Sequence, residues 1–150
     1  MKACVFFGHR NISYQADKAR LIKTLVHLIE DEGYTQFYSG GRGSFDKLCA
    51  EVVGELKKTY PQIKNTLVFS YLPSTNEDFT FPAYYDDSVY LLTESVPPRY
   101  AILRTNKKLV EKADCLVVGI VCEWGGAWQA VKYAQRKKKQ ILNICEPIEK

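Results

Sequence analysis

Three apolar runs in this chain stop at glycine, and that pattern narrows the choice of fold more than any other feature. Ala3-Cys4-Val5-Phe6-Phe7 is unbroken and ends at Gly8, Thr35 to Tyr38 ends at Ser39-Gly40-Gly41-Arg42-Gly43, and Asp114 to Val121 gives way to Glu123-Trp124-Gly125-Gly126. Apolar segments without polar alternation suit strands buried on both faces, which requires a parallel sheet covered by helices on two sides. Each stop leads toward a helical pattern. In an open α/β sheet the carboxyl ends of the strands share one edge, so the three turns are expected to bring bare backbone N–H groups and helix N-termini to one crevice.

The helical patterns between these runs are explicit. From Ser13, an available N-cap, Leu21, Ile22, Leu25, Leu28 and Ile29 recur at helical spacing until Gly33 supplies a stop. Phe45, Leu48, Cys49, Val52, Val53 and Leu56 form an apolar stripe that ends near Tyr60-Pro61. Thr66 to Leu72 reads as a third strand, Asp114 to Val121 as a fourth, and Gln140 to Cys145 as a fifth. Pro97-Pro98 opens a helix before the fourth strand, and a further helix runs from Gly126 to about Lys138, with Ala127, Val131 and Ala134 on one face. Strands alternating with helices pair in parallel through right-handed crossovers. The expected fold is α/β, a Rossmann-like doubly wound parallel sheet in strand order 3-2-1-4-5. The long connection from Pro73 to Pro98, with a possible edge strand at Ser88 to Leu92, reads as a lid or a surface loop.

Bulk properties exclude several classes. A chain of 150 residues with 46% hydrophobic content suits one domain with its own core. The net charge of +4 is modest and the basic residues are scattered apart from Arg136-Lys137-Lys138-Lys139, where a helix end favours cations, so nucleic acid is not the expected partner. Cys4, Cys49, Cys115, Cys122 and Cys145 make no CxxC pair and read as small buried hydrophobes in a reducing, cytoplasmic compartment. No apolar stretch has membrane-spanning length. No metal site is expected, because His9 and His27 are the only histidines and no Cys/His cluster has ligand spacing. His27 falls in an apolar helical stretch and is assigned no function.

The turns supply the candidate site. Gly41-Arg42-Gly43-Ser44-Phe45-Asp46 begins like a dinucleotide fingerprint but carries Asp46 where the last glycine would stand, and no lysine follows as a P-loop requires. Neither a standard NAD site nor a P-loop is expected, and no cofactor is assigned. What remains is a bare turn with Arg42 able to meet an anion and Asp46 placed either to hold ribose hydroxyls or to cap its helix. Gly8-His9-Arg10 ends the central strand. Arg99 and Asn106 share a helix face with Leu103 by i, i+4, i+7 spacing, and Arg99 near the helix start suits a phosphate fork or an ion pair. Trp124 can stack on a base or fill an interface, beside Glu123 and the donors of Gly125 and Gly126. The ligand-binding set is therefore Gly8, His9, Arg10, Ser39, Gly40, Gly41, Arg42, Gly43, Asp46, Arg99, Asn106, Glu123, Trp124, Gly125 and Gly126.

These residues resemble a known group. Phe7-Gly8-His9-Arg10, Ser39-Gly40-Gly41-Arg42-Gly43 with Asp46 and Glu51, Pro98-Arg99-Tyr100-Ala101-Ile102, Asn106, Ala113-Asp114 and Trp124-Gly125-Gly126-Ala127 are similar to the SLOG superfamily. This Rossmann-like group contains the Lonely Guy phosphoribohydrolases and the DNA-processing protein Smf, and the likeness is to its small, single-domain bacterial or phage members with a GHR signature. The resemblance implies a nucleotide or nucleotide-derived ligand at the glycine turns and a homo-oligomer, a dimer in the first instance. The phosphoribohydrolases carry a PGGxGTxxE pattern whose glutamate is catalytic. Here Trp128, Gln129 and Lys132 stand in place of the third glycine, the threonine and that glutamate. Binding, as a sensor or sequestering protein, is therefore the expected function. A hydrolase using Glu123 or Asp46, and a DNA-handling or protein-interaction component, are the alternatives.

Overall fold

The computed structural model describes residues 2–9, 14–41, 43–70, 82–92 and 95–145. In chain order the elements are β1 (Lys2–Gly8), α1 (Tyr14–Glu30), β2 (Tyr34–Ser39), α2 (Gly43–Lys57), β3 (Lys64–Phe69), β4 (Asp87–Tyr90), α3 (Pro98–Lys112), β5 (Cys115–Gly119), α4 (Gly125–Arg136) and β6 (Gln140–Asn143). The strands make one parallel sheet in the order β4-β3-β2-β1-β5-β6. The α/β Rossmann-like class is as the sequence indicates. The five strands read as regular keep their expected mutual order, and the sheet gains a sixth, because the edge strand anticipated near Ser88 pairs with β3 from Asp87 onward. Ser13, the expected cap of the first helix, lies outside the described residues.

Alternation within the apolar runs builds two cores. Cys4 and Phe6 of β1, with Cys115 and Val117 of β5, face Leu21, Leu25 and Leu28 of α1 and Leu48, Cys49, Val52 and Val53 of α2. Val5, Phe7, Leu116 and Val118 point the other way, onto Leu109 and Val110 of α3 and Ala130, Val131 and Ala134 of α4. Strands buried on both faces therefore explain the unbroken apolar runs. A backbone clasp fixes the start of the central pair: the Ala3 amide donates to Asp114 Oδ2 and the Asp114 amide donates to the Ala3 carbonyl, both at 2.8 Å.

The buried thiols give the fold an alkaline limit. Burial pushes Cys49 well above the ordinary thiol value, and burial with Asp17 close by pushes Cys145 up to about 11. The folded chain thus holds protons that the unfolded chain releases from about pH 8.5, so stability is intact below that pH and falls as pH climbs toward 11. Urea midpoints measured from about pH 8 to about pH 10.5 should fall steadily, and Cys145→Ala should make the fall shallower.

Candidate functional site

β2, β1 and β5 are neighbours, and all three end at the same edge of the sheet. Their turns contain most of the residues singled out above. Gly8 and Gly119 pair across the ends of β1 and β5, and the His9 amide continues the ladder by donating to the Gly119 carbonyl at 3.0 Å. Asn143 braces this exit from the far side. Its Oδ1 accepts from the amides of Ile120 and Cys145, and its Nδ2 donates to the Ile120 carbonyl at 3.0 Å.

Gly8 has an internal reason to be glycine. A Cβ there would stand 2.3 Å from the ring of Phe45, and one at Gly119 would stand 2.6 Å from the same ring. Phe45, in the first turn of α2 and 1% exposed, is wedged over both glycines. The two bare positions let the start of α2 settle onto the central strands, so the space above Gly8 on that face belongs to the protein's own side chain.

The turn after β2 is governed by a residue from the segment before β4. Ser39 Oγ and Tyr85 Oη lie 2.7 Å apart in a buried contact, and Gly41, at φ +67°, leaves room for Leu67, whose Cδ1 would be 2.7 Å from a Cβ there. Burial raises the Tyr85 phenol above its ordinary value, and its bond to Ser39 opposes that rise. Asp46 lies in the first turn of α2, with its charge felt by Tyr85 and Cys49. Gly40 precedes and Gly43 opens this helix, the latter with φ +83°. Arg10 and Arg42 lie outside the described residues.

The turn after β5 joins β1 through His9. The ring Nε2 lies 3.1 Å from the Cys122 carbonyl oxygen and 3.3 Å from Cys122 Sγ, and Gly125, at φ +91°, faces the ring. Cys122 is half-buried, which corrects its reading as a buried hydrophobe, whereas Cys4, Cys49, Cys115 and Cys145 are buried. A cysteine one residue past an apolar run sits on the exit of the strand rather than within it. Trp124 caps α4 without a side-chain hydrogen bond and is 72% exposed. Glu123 and Gly126 are exposed beside it.

Asn106 and Gly126 meet in a groove of about 220 Å³ between α3 and α4, together with Leu103, Lys107, Tyr133 and Arg136. Arg99 stacks 4.8 Å over its neighbour Tyr100 at the helix start. A second groove, of about 630 Å³, runs between α1, α2 and Tyr84, and its lining includes none of the expected ligand-binding residues. His27 is exposed, with Nδ1 2.6 Å from Asp31 Oδ2, consistent with a surface residue. Among the described residues no group of three or more His, Cys, Asp or Glu side chains is placed to hold a metal ion, and no helix is long and apolar enough to cross a membrane.

Known structures share this architecture. DNA processing protein A from Helicobacter pylori, solved for its single-stranded DNA binding mode, superposes with a TM-score of 0.65 at 16% identity, over 93% of this chain and 63% of that one. The protein of the same name from Streptococcus pneumoniae gives 0.65 at 13% identity, over 93% of this chain and 49% of its own. The chain thus spans less than two thirds of either. The molybdenum cofactor binding protein from the phototrophic bacterium Rippkaea orientalis gives 0.59 at 15% identity, over 93% of this chain and 74% of that one. At these identities the likeness is one of fold. Comparison with curated proteins gives no match. Residues 2–78, just over half the chain and including the turns after β1 and β2, match the model of the YspA SLOG family, and the chain belongs to that family.

Proposed function

We propose that this protein binds a phosphorylated, nucleotide-like small molecule at the carboxyl edge of β2, β1 and β5. The observation that carries this reading is that β2, β1 and β5 end at one edge and that the turns after β2 and β5, with Gly40-Gly41 and Gly125-Gly126, open directly into the helices α2 and α4. The start of α4 has Trp124 as its cap, a residue with no oxygen to offer the helical amides, so an anion is the natural partner for those donors. A helix-end charge contact is worth about 0.3–1 kcal/mol, whereas micromolar affinity requires about 8 kcal/mol. Aromatic contact with exposed Trp124 supplies a further share.

Calorimetry against adenine and guanine nucleotides, ADP-ribose derivatives and cyclic dinucleotides tests the reading. A Cβ at Gly126 would meet nothing within 4 Å, so Gly126→Asp should fold normally while setting a carboxylate where the anion would sit. We expect at least one ligand to bind with micromolar affinity, and Gly126→Asp to weaken it about tenfold or more with no loss of melting temperature. No heat from any ligand with folded protein would defeat the reading.

A second reading, single-stranded nucleic acid, is favoured by the cations gathered about Tyr133, with Lys107, Arg136 and Lys137 each within 5.7 Å of its ring centre. The H. pylori protein of similar fold binds single-stranded DNA. An oligonucleotide in the same panel separates the two, because backbone binding weakens steeply as salt rises.

A further inference from the structure

His9 and Cys122 lie far apart in sequence and are brought together where β1 and β5 end. The His9 backbone is fixed by its hydrogen bond to Gly119, and its ring Nε2 then lies 3.3 Å from Cys122 Sγ. A thiol within hydrogen-bonding reach of a proton acceptor is the arrangement nucleophilic sulfur chemistry requires. Two further features set this thiol apart. It is half-buried where the other four are buried. Gly125 faces the imidazole with no Cβ of its own; one there would stand 4.0 Å from Cε1. For Nε2 to accept the thiol proton the neutral ring must carry its own proton on Nδ1; the Cys122 carbonyl oxygen, 3.1 Å from Nε2, then accepts from Nε2 after the proton has moved there.

We propose that Cys122 is a nucleophilic thiol served by His9, and that it is a site of reversible thiolation by low-molecular-weight disulfides. In the step, His9 Nε2 takes the thiol proton as Cys122 sulfur attacks one sulfur of the small disulfide. The reagent's S–S bond breaks and a new S–S bond joins Cys122 to one half. The other half leaves as a thiolate and takes the proton from His9. Cys122 is oxidised, the departing half is reduced, and a small thiol reverses the exchange. None of this rests on the nucleotide reading, because the thiol reacts with no ligand present.

The test uses the full chain and oxidised glutathione, read by intact mass and peptide mapping. We expect a single adduct, on Cys122, that dithiothreitol removes and Cys122→Ser abolishes. At neutral pH the folded protein should react about tenfold or more faster per Cys122 than the urea-unfolded chain, and His9→Ala should lose about as much. Added imidazole should restore part of the rate to His9→Ala while leaving the wild-type rate unchanged, a response that a merely structural histidine would not give. An adduct on another cysteine, no adduct, or a folded rate no greater than the unfolded one overturns the proposal, and these outcomes are decisive even if the His9 variant fails to fold.

Discussion

Gly8→Ala should cost this protein about 3 kcal/mol or more of folding free energy, a large share of what a domain of this size possesses. The new methyl would stand 2.3 Å from two carbons of the Phe45 ring and 2.7 Å from its Cβ. The ring has little freedom to retreat, because Gly119 is bare for the same reason and Phe45 is buried to 1% exposure. The whole first turn of α2 would have to lift from the sheet. Phe45→Ala alone should cost about 3–5 kcal/mol through the cavity it leaves. Made together, the two changes should cost less than their sum by about 1–3 kcal/mol, because the added methyl then grows into the vacated space. Urea denaturation of the two single variants and the double variant checks this. Simple additivity would mean that Phe45 and Gly8 do not share that space.

The second large effect is expected at Asn65. This β3 residue is fully buried, and its Nδ2 donates to the Ala50 carbonyl of α2 at 3.0 Å and to the Tyr84 carbonyl at 2.8 Å. Its backbone completes the attachment: the Asn65 amide donates to Asp86 Oδ2, and the Asp86 amide donates to the Asn65 carbonyl, each at 2.8 Å. Lys57 Nζ lies 2.7 Å from the other oxygen of that carboxylate. Asn65→Ala removes both side-chain donors and leaves the Tyr84 carbonyl short of a partner. Destabilisation of about 2–3 kcal/mol should follow, with faster amide exchange from Tyr85 through Tyr90 than elsewhere in the sheet. A loss under about 0.5 kcal/mol with unchanged exchange would show that the side chain is not what holds this segment.

The frame of the molecule was legible because its central strands are buried on both faces. Ala3 to Phe7 and Cys115 to Val118 have no polar interruption, and α2 repeats its apolar stripe with enough regularity to fix its face. What sequence could not show was the company each residue keeps. Gly8 reads as an opening for a ligand, yet the added atom it lacks would collide with Phe45, a neighbour nothing in local spacing identifies. Asn65 is hidden for a related reason. A single polar residue in a strand gives no sign that its amide ties a helix to a turn. Cys122 is grouped with the buried thiols by proximity to an apolar run, although the strand ends at Gly119 and leaves it on the exit. The candidate site is legible as an edge rather than as a set of contacts, because an edge follows from topology while contacts depend on side chains arriving from remote segments.

Both outermost strands are only four residues long. A neighbouring molecule approaching either border therefore meets a main-chain ladder too brief to extend, and on the β4 side it meets Lys64 and Asp87 paired at 2.9 Å. Borders this short, one of them also charged, discourage strand-to-strand polymerisation. An interior built from strands buried on both faces is thereby shielded at its two borders against edge-to-edge recruitment of further copies.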